Sequence, residues 1–428
     1  MLDRVSSLLR RLRARPATRE DRNIRRLMAH TGLFGVVQGG VITFLPVLLA
    51  RLGASATMVS LLTSLPALLT ILLALPAGAL VARWRNLVRD SARCFYAIRL
   101  TYPPIAAAAA LLGPSAAPVL IVILWGLTAI PGTLGNTVFY DVLAEAVPPR
   151  RRAAVNGVRW ALLGLVSAAS VALFGQMLEA LPWPHNYMLL FAICFVAGLL
   201  STYSYSRLEI PLREPGPGAK LAVRLADLVV PLRQPGFAMF SAVTLVMRWG
   251  LFLPSGVFTI FLVRNLRASD AWIGERTTLE NGALTLGYYL WGRLANRLGP
   301  FRMLAAANLA VGGALCLAGL ASVQTRWLLF LGALIGGFFV SGVDVSLFEW
   351  LLAVMPADER PRYVAVNTLL LNLVAFLAPL VGAAVARWAG IPAVLFAAGG
   401  CLFVSAVLTL RLQARRVPAR RPAAASEA

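Results

Sequence analysis

The sequence predicts an all-α polytopic membrane protein, with twelve transmembrane helices written as two six-helix pseudo-repeats. Three observations predict it. Apolar residues make up 59% of the chain and charged residues 14%, more apolar surface than a soluble core of this length can hide. Many windows of roughly 18 residues or more carry few or no charges, enough to cross a hydrocarbon core of about 30 Å. One turn is then written twice. Gly292-Arg-Leu-Ala-Asn-Arg-Leu-Gly-Pro-Phe-Arg302 joins two apolar runs, and a weaker copy, Gly78-Ala-Leu-Val-Ala-Arg83, sits near residue 80. Leu80 and Leu294 are 214 positions apart, as are Arg83 and Arg297, and 214 is half of 428.

In order, residues 1–23 alternate Arg4, Arg10, Arg11, Arg13 and Arg15 with Leu2, Val5, Leu8, Leu9 and Leu12. This predicts a basic amphipathic arm on the membrane surface. An N-terminal bundle of six spans follows over 24–206, near 24–50, 54–81, 94–112, 117–146, 153–178 and 185–206. The basic stretch Arg83–Arg93 and the turn Pro148-Pro-Arg-Arg-Arg152 separate spans. The first apolar run starts too late and runs too long for a cleaved signal, so it is expected to stay as a span. Residues 207–236 form a linker, because Pro-Gly-Pro-Gly at 215–218 cannot continue a helix; one interfacial helix is expected within it. A C-terminal bundle over 237–411 repeats the pattern, with spans near 237–263, 271–293, 300–321, 327–353, 363–387 and 391–411. A basic tail, 412–428, ends the chain.

Alternating sides puts both termini, the linker and the basic turns on one face. The other face receives mainly Arg51, Arg264, Arg267, Arg326 and Arg387. The positive-inside rule then predicts N-in and C-in, in a bacterial cytoplasmic (inner) membrane. The net charge of +22 is therefore membrane topology, not a nucleic-acid footprint, which needs one contiguous basic face. Cys94, Cys194, Cys316 and Cys401 are scattered and suit packing. No phosphate-binding Gly-Lys-Ser/Thr loop, clustered metal ligands or nucleophile–base set is visible. The chain is expected to be no enzyme and to need no cofactor and no metal. The expected partners are a small-molecule substrate, protons and membrane lipid, with the protein a monomer.

Further matches support the repeat. Tyr140-Asp-Val-Leu-Ala-Glu-Ala-Val-Pro148 pairs with Phe348-Glu-Trp-Leu-Leu-Ala-Val-Met-Pro356 at an offset of 208, and Gly32-Leu-Phe34 with Gly250-Leu-Phe252 at 218. Six plus six spans as parallel repeats is one way to build a transporter. On these residues the chain resembles the major facilitator superfamily, over about 24–411. Gly292, Leu294, Ala295, Asn296, Arg297, Gly299 and Arg302 fit the loop signature of that family. Gly78, Leu80 and Arg83 fit it in the first half, where Ala82 replaces the signature acid and Arg85 the second glycine. The resemblance assigns Gly292, Asn296, Arg297, Gly299 and Arg83 to a gating loop. Span 5 carries Gly164 and Gly175 but no proline, unlike the antiporter signature of the family. The resemblance further implies that spans 1, 4, 7 and 10 line a cavity that opens to alternate sides.

Intramembrane polar residues are the candidate sites, because a charge at mid-bilayer costs about 2.5–3.5 kcal/mol on insertion scales. Arg248, about ten residues into span 7 beside Trp249, either holds an anionic substrate group or pairs with Glu280. Glu280 either carries a proton or pairs with Arg276 one turn away. Asp344 on span 10 has Asn136 as its repeat partner on span 4, an asymmetry that suits substrate contact or proton coupling. Gln38 at mid-depth on span 1 and Tyr140 on span 4 are candidate substrate contacts. His30 reads as a packing histidine. Asp141, Glu145 and Arg159 are expected to form a salt-bridge cluster with Arg150–Arg152, at most a gate.

Overall fold

The computed structural model describes residues 18–214, 225–356 and 358–416. Thirteen helices account for these. The first six are α1 (Arg19–Arg51), α2 (Ala56–Val81), α3 (Leu87–Leu111), α4 (Ala116–Ala146), α5 (Pro149–Ala180) and α6 (His185–Ser206). A short linker helix, α7 (Leu225–Arg233), leads to α8 (Pro235–Asn265) and α9 (Asp270–Leu298). The last four are α10 (Pro300–Gly319), α11 (Leu328–Val354), α12 (Arg360–Ala389) and α13 (Ile391–Arg416). Eleven of the described helices are long and apolar enough to cross a membrane. The more polar α9 packs between α5 and α11 and completes a set of twelve. The basic arm 1–17 and the tail beyond 416 lie outside the described residues.

Local chemistry sets the helix ends. Thr18, Ser55 and Asn86 cap α1, α2 and α3, each side-chain oxygen accepting from the backbone N–H three residues on. Pro149, Pro235 and Pro300 open α5, α8 and α10, where a missing N–H costs nothing. Gly299 breaks α9 from α10 with φ +73°, and Gly390 breaks α12 from α13 with φ +82°; a side chain would strain both. The Asn86 cap starts α3 seven residues before the expected 94, so Arg89 and Arg93 belong to its first turns rather than to a loop. Two π-helical stretches, Gln38–Ile42 in α1 and Phe261–Asn265 in α8, occupy the first span of each half.

The packing divides by depth. Ile24, Leu27, Leu87, Val138, Val142 and Tyr205 belong to a core at the terminus side of the first half. Phe237, Phe240, Met247, Leu304, Leu347 and Trp350 belong to a separate one in the second half. At the far side a single core runs across both halves, from Leu48, Leu49, Ala54 and Val59 to Ile260, Phe261, Leu262 and Leu266. The halves are one body at that end and two at the other. Outward-facing Leu72, Leu111, Leu165 and Leu173 are 63–81% exposed, as a lipid-facing surface requires. Trp183, Trp327 and Trp388 are exposed at the far-side helix ends, the level of an interfacial aromatic belt.

Candidate functional site

A cavity of about 410 Å³ opens in the first half, lined from α1, α3, α4 and α5, a size within the roughly 300–1,000 Å³ usual for small-molecule sites. Its walls are aromatic: Phe34, Phe95, Tyr102, Trp125, Phe139, Tyr140 and Trp160. Two guanidinium groups enter it. Arg99 on α3 is 5% exposed and Arg159 on α5 is 7% exposed. Arg99 donates to the Tyr102 hydroxyl at 2.5 Å and lies over the rings of Phe34 (5.2 Å) and Tyr102 (5.6 Å). Arg159 lies over Phe139 (5.0 Å) and Trp160 (5.3 Å). Cation–π contact of this kind contributes roughly 0.5–2 kcal/mol, but it supplies no acceptor to an N–H group. The Nε of each finds no partner, and neither meets a carboxylate among the described residues.

The second half is different. Arg248 on α8 faces Asp344 on α11 at 3.7 Å, and the Tyr288 hydroxyl on α9 donates to the same carboxylate at 2.7 Å. Arg276 pairs with Glu280 at 2.9 Å within α9. Arg248 and Arg276 thus have carboxylates, whereas Arg99 and Arg159 have none among the described residues, so the unbalanced charge of the cavity is positive. Gly164 of α5 lies against Thr285 of α9: a Cβ there would sit 3.0 Å from Oγ1. Trp160 on α5 and Tyr288 and Tyr289 on α9 therefore stand one turn from this crossing, on its terminus side.

Asn136 and Tyr140 both line the cavity, and Tyr140 is 70% exposed. Arg248 and Asp344 meet each other, whereas Glu280 turns to Arg276 and not to Arg248. Trp249 packs against the apolar cluster of Leu253 and Val394. Gln38 is half-buried where α1 turns π-helical, its backbone carbonyl accepting from the Thr43 hydroxyl at 3.2 Å. His30 is buried between Ser201 and the ring of Tyr205. Of the loop motif, Arg83 is exposed and Gly299 caps α10, while Gly292, Asn296 and Arg297 belong to the end of α9. The expected cluster around Arg150–Arg152 does not form as drawn. Arg151 pairs with Asp21 at 3.0 Å, Arg152 donates to the Ala144 and Val147 carbonyls, and Arg159 points into the cavity. Arg99 is the residue that sequence reasoning missed; its signal was the Asn86 cap, which moves it deep into the membrane.

The sequence matches the model of the Major Facilitator Superfamily over residues 27–263 and again over 240–428. The chain belongs to that superfamily. No curated protein matches it. Among solved structures it is similar to a bacterial homologue of the iron transporter ferroportin in an inward-facing state, with TM-score 0.71 and 12% identity over 91% of this chain and 98% of that one. It is also similar to a bacterial homologue of the human lysosomal transporter Spinster, inward-facing and unoccupied, with TM-score 0.69 and 15% identity over 96% and 100%. A nucleoside transporter aligns with TM-score 0.68 and 12% identity over 91% and 99%. At such identities the likeness carries the fold. Membership in the superfamily makes this a multi-pass membrane transporter and points away from catalysis.

Proposed function

We propose that the chain is a proton-coupled secondary transporter of a small organic solute, working by alternating access in a bacterial cytoplasmic membrane. The halves 24–206 and 237–411 are its moving units, joined by the linker 207–236. The single observation that carries this reading is the division of the packing: one apolar core across both halves at the far side, two separate cores at the terminus side. With N-in topology this is a cytoplasm-open arrangement, the state in which two of the similar structures were captured. Asp344 is our candidate proton carrier. It is 38% exposed and it neutralises Arg248, so protonation would release that cation. A second reading, a lipid or amphiphile transporter, draws on the apolar cavity walls.

The test is access from both sides. Tyr140→Cys, in a variant with the four native cysteines replaced by alanine, is exposed to a membrane-impermeant maleimide in inside-out and right-side-out vesicles. Fast labelling from the cytoplasmic side and slow, measurable labelling from the other is expected. Labelling from one side only, under every condition, would rule out alternating access.

A further inference from the structure

We infer that the substrate is an organic anion with an aromatic body, its acid group held by Arg99 and Arg159 and its rings by the aromatic walls of the first-half cavity. The inference rests on the transport reading above and names the substrate class of the same cavity. Two buried guanidinium groups from different helices line one space, the Nε of each is unbonded, and neither has a carboxylate within ion-pair distance among the described residues. Guanidinium forks bind carboxylate, sulfonate or phosphate oxygens in pairs. A buried charge without a partner is costly, and a substrate anion supplies the partner that the chain withholds here while supplying one to Arg248 and to Arg276. Phe34 and Tyr102 stack on Arg99, and Phe139 and Trp160 on Arg159. Each guanidinium is thereby held on ring faces, Arg99 spends one donor on the Tyr102 hydroxyl, and the remaining ring faces offer a flat body a surface. Asn136 and the exposed Tyr140 add polar contacts at the rim.

The same ligand chemistry has two sources, a water-soluble aromatic acid and the head of an anionic lipid. The experiment separates them. The full chain, purified in a non-ionic detergent, is titrated with 2-naphthoate, an aryl sulfonate and an aryl phosphate, with the isosteric neutral alcohol and quaternary ammonium as controls, and with lysophosphatidylglycerol. Trp125 and Trp160 in the cavity wall provide the fluorescence signal, and thermal stabilisation gives a second readout. At least one aryl anion is expected to bind at least tenfold more tightly than its neutral isostere. Arg99→Gln and Arg159→Gln should each weaken it tenfold or more, Arg159→Lys less, and Arg93→Gln, at an exposed position of the same helix as Arg99, by under threefold. Equal binding of acid and alcohol by the wild-type protein overturns the inference, and needs no variant to fold. So does anion binding indifferent to both glutamine variants, or the absence of anion binding at millimolar concentration. Binding of the lysolipid alone, with loss in the same variants, overturns the aromatic acid and moves the site to the lipid reading. Because binding is read without transport, a bound anion that vesicles fail to move sinks the transport reading and leaves the site standing.

Discussion

Arg99 and Arg159 owe their meaning to depth, and depth depends on where a helix begins. A start at 94 puts Arg99 five residues into its span, where a cation reaches the headgroups. The observed start at Leu87 puts it twelve residues in, about 18 Å at 1.5 Å per residue. Likewise Arg159 moves from six residues in to ten with the start at Pro149. The error of a few residues hid Arg99 and set Arg159 among the charges of a surface cluster; a basic stretch such as Arg83–Arg93 looks like a loop until the Asn86 cap is given its weight. Asn136 and Tyr140 were legible since repeat offsets do not depend on helix boundaries. The partner of Arg248 was not, as the register of α8 against α11 is a packing outcome. At this scale the coupling proposal is tested at Asp344. Asp344→Asn should abolish the pH dependence of transport, leaving Arg248 without its counter-charge and lowering stability by a few kcal/mol, on the order of 3–5 for a broken buried pair and less here for a half-exposed carboxylate. Tyr288→Phe, which removes only the 2.7 Å hydrogen bond, should keep the pH dependence and cost about 1 kcal/mol. An unaltered pH profile in Asp344→Asn would remove the proton carrier from that position.

At the scale of elements, caps, prolines and period gave up the order and number of helices, and the breaks inside them at Leu100, Thr128 and Leu253 each fall one to three residues before a proline, Pro103, Pro131 and Pro254; which helices cross was left to tertiary fit. The α5–α9 crossing is a case in point. A Cβ on Gly175 would meet the Asp270 carbonyl at 3.0 Å and the Gly274 Cα at 3.2 Å. Backbone cannot give way as a side chain can. Gly175→Val should therefore cost about 1–3 kcal/mol of far-side closure and raise far-side labelling of Tyr140→Cys roughly five- to a hundredfold; unchanged labelling would mean that this crossing does not bear on closure. A second joint ties the chain leaving α6 to the start of α1. The Glu209 carboxylate accepts from Arg22 (2.9 Å) and Arg26 (2.8 Å), its carbonyl from Arg19 and Asn23, and its N–H donates to Asn23 (2.9 Å). Hydrogen bonds from Arg22, then Arg26, hold its carboxyl down at about 2, against an ordinary 4.5. A depressed acid stabilises the fold above its unfolded pKa and loses that contribution as pH falls through the folded one. The melting-temperature advantage of the wild type over Glu209→Gln should thus be full near pH 7, shrink from about pH 4.5 downward toward 2, and diminish in high salt because the pairs are exposed. A difference that stays constant across this range would show the carbonyl and N–H contacts, not the charge, to be what matters.

For the whole molecule, the question is what holds the far side shut while the terminus side stands apart. Of the few arginines the sequence sends to that face, two cross between halves. Arg51 pairs with Asp270 at 3.1 Å and donates to the Ala268 carbonyl at 2.6 Å. Arg264 donates to the carbonyls of Ala50 (3.0 Å) and Ala54 (2.6 Å). Tyr187 adds a hydrogen bond to Asp270 at 3.4 Å, and the backbone N–H of Ala271 donates to Glu179. These contacts share the far end with the continuous apolar core, so closure has a polar and an apolar part, and only the first responds to a single charge. Asp270 is the point at which they separate. Its side chain is 12% exposed and it serves both Arg51 and Tyr187, so it lies between an exposed pair at 0–1 kcal/mol and a buried one. Asp270→Asn should shift the balance toward far-side opening by about 1–2 kcal/mol, roughly five- to thirtyfold. Spin labels at Leu52 and Arg267 would report it as a second, longer distance population, growing with ionic strength in the wild type and insensitive to salt in the variant. A distance distribution identical in both proteins would assign closure to the shared core alone. The rate-setting event of the cycle would then be the parting of Leu48, Leu49 and Val59 from Ile260, Leu262 and Leu266, an apolar separation that no change of pH or salt would greatly alter.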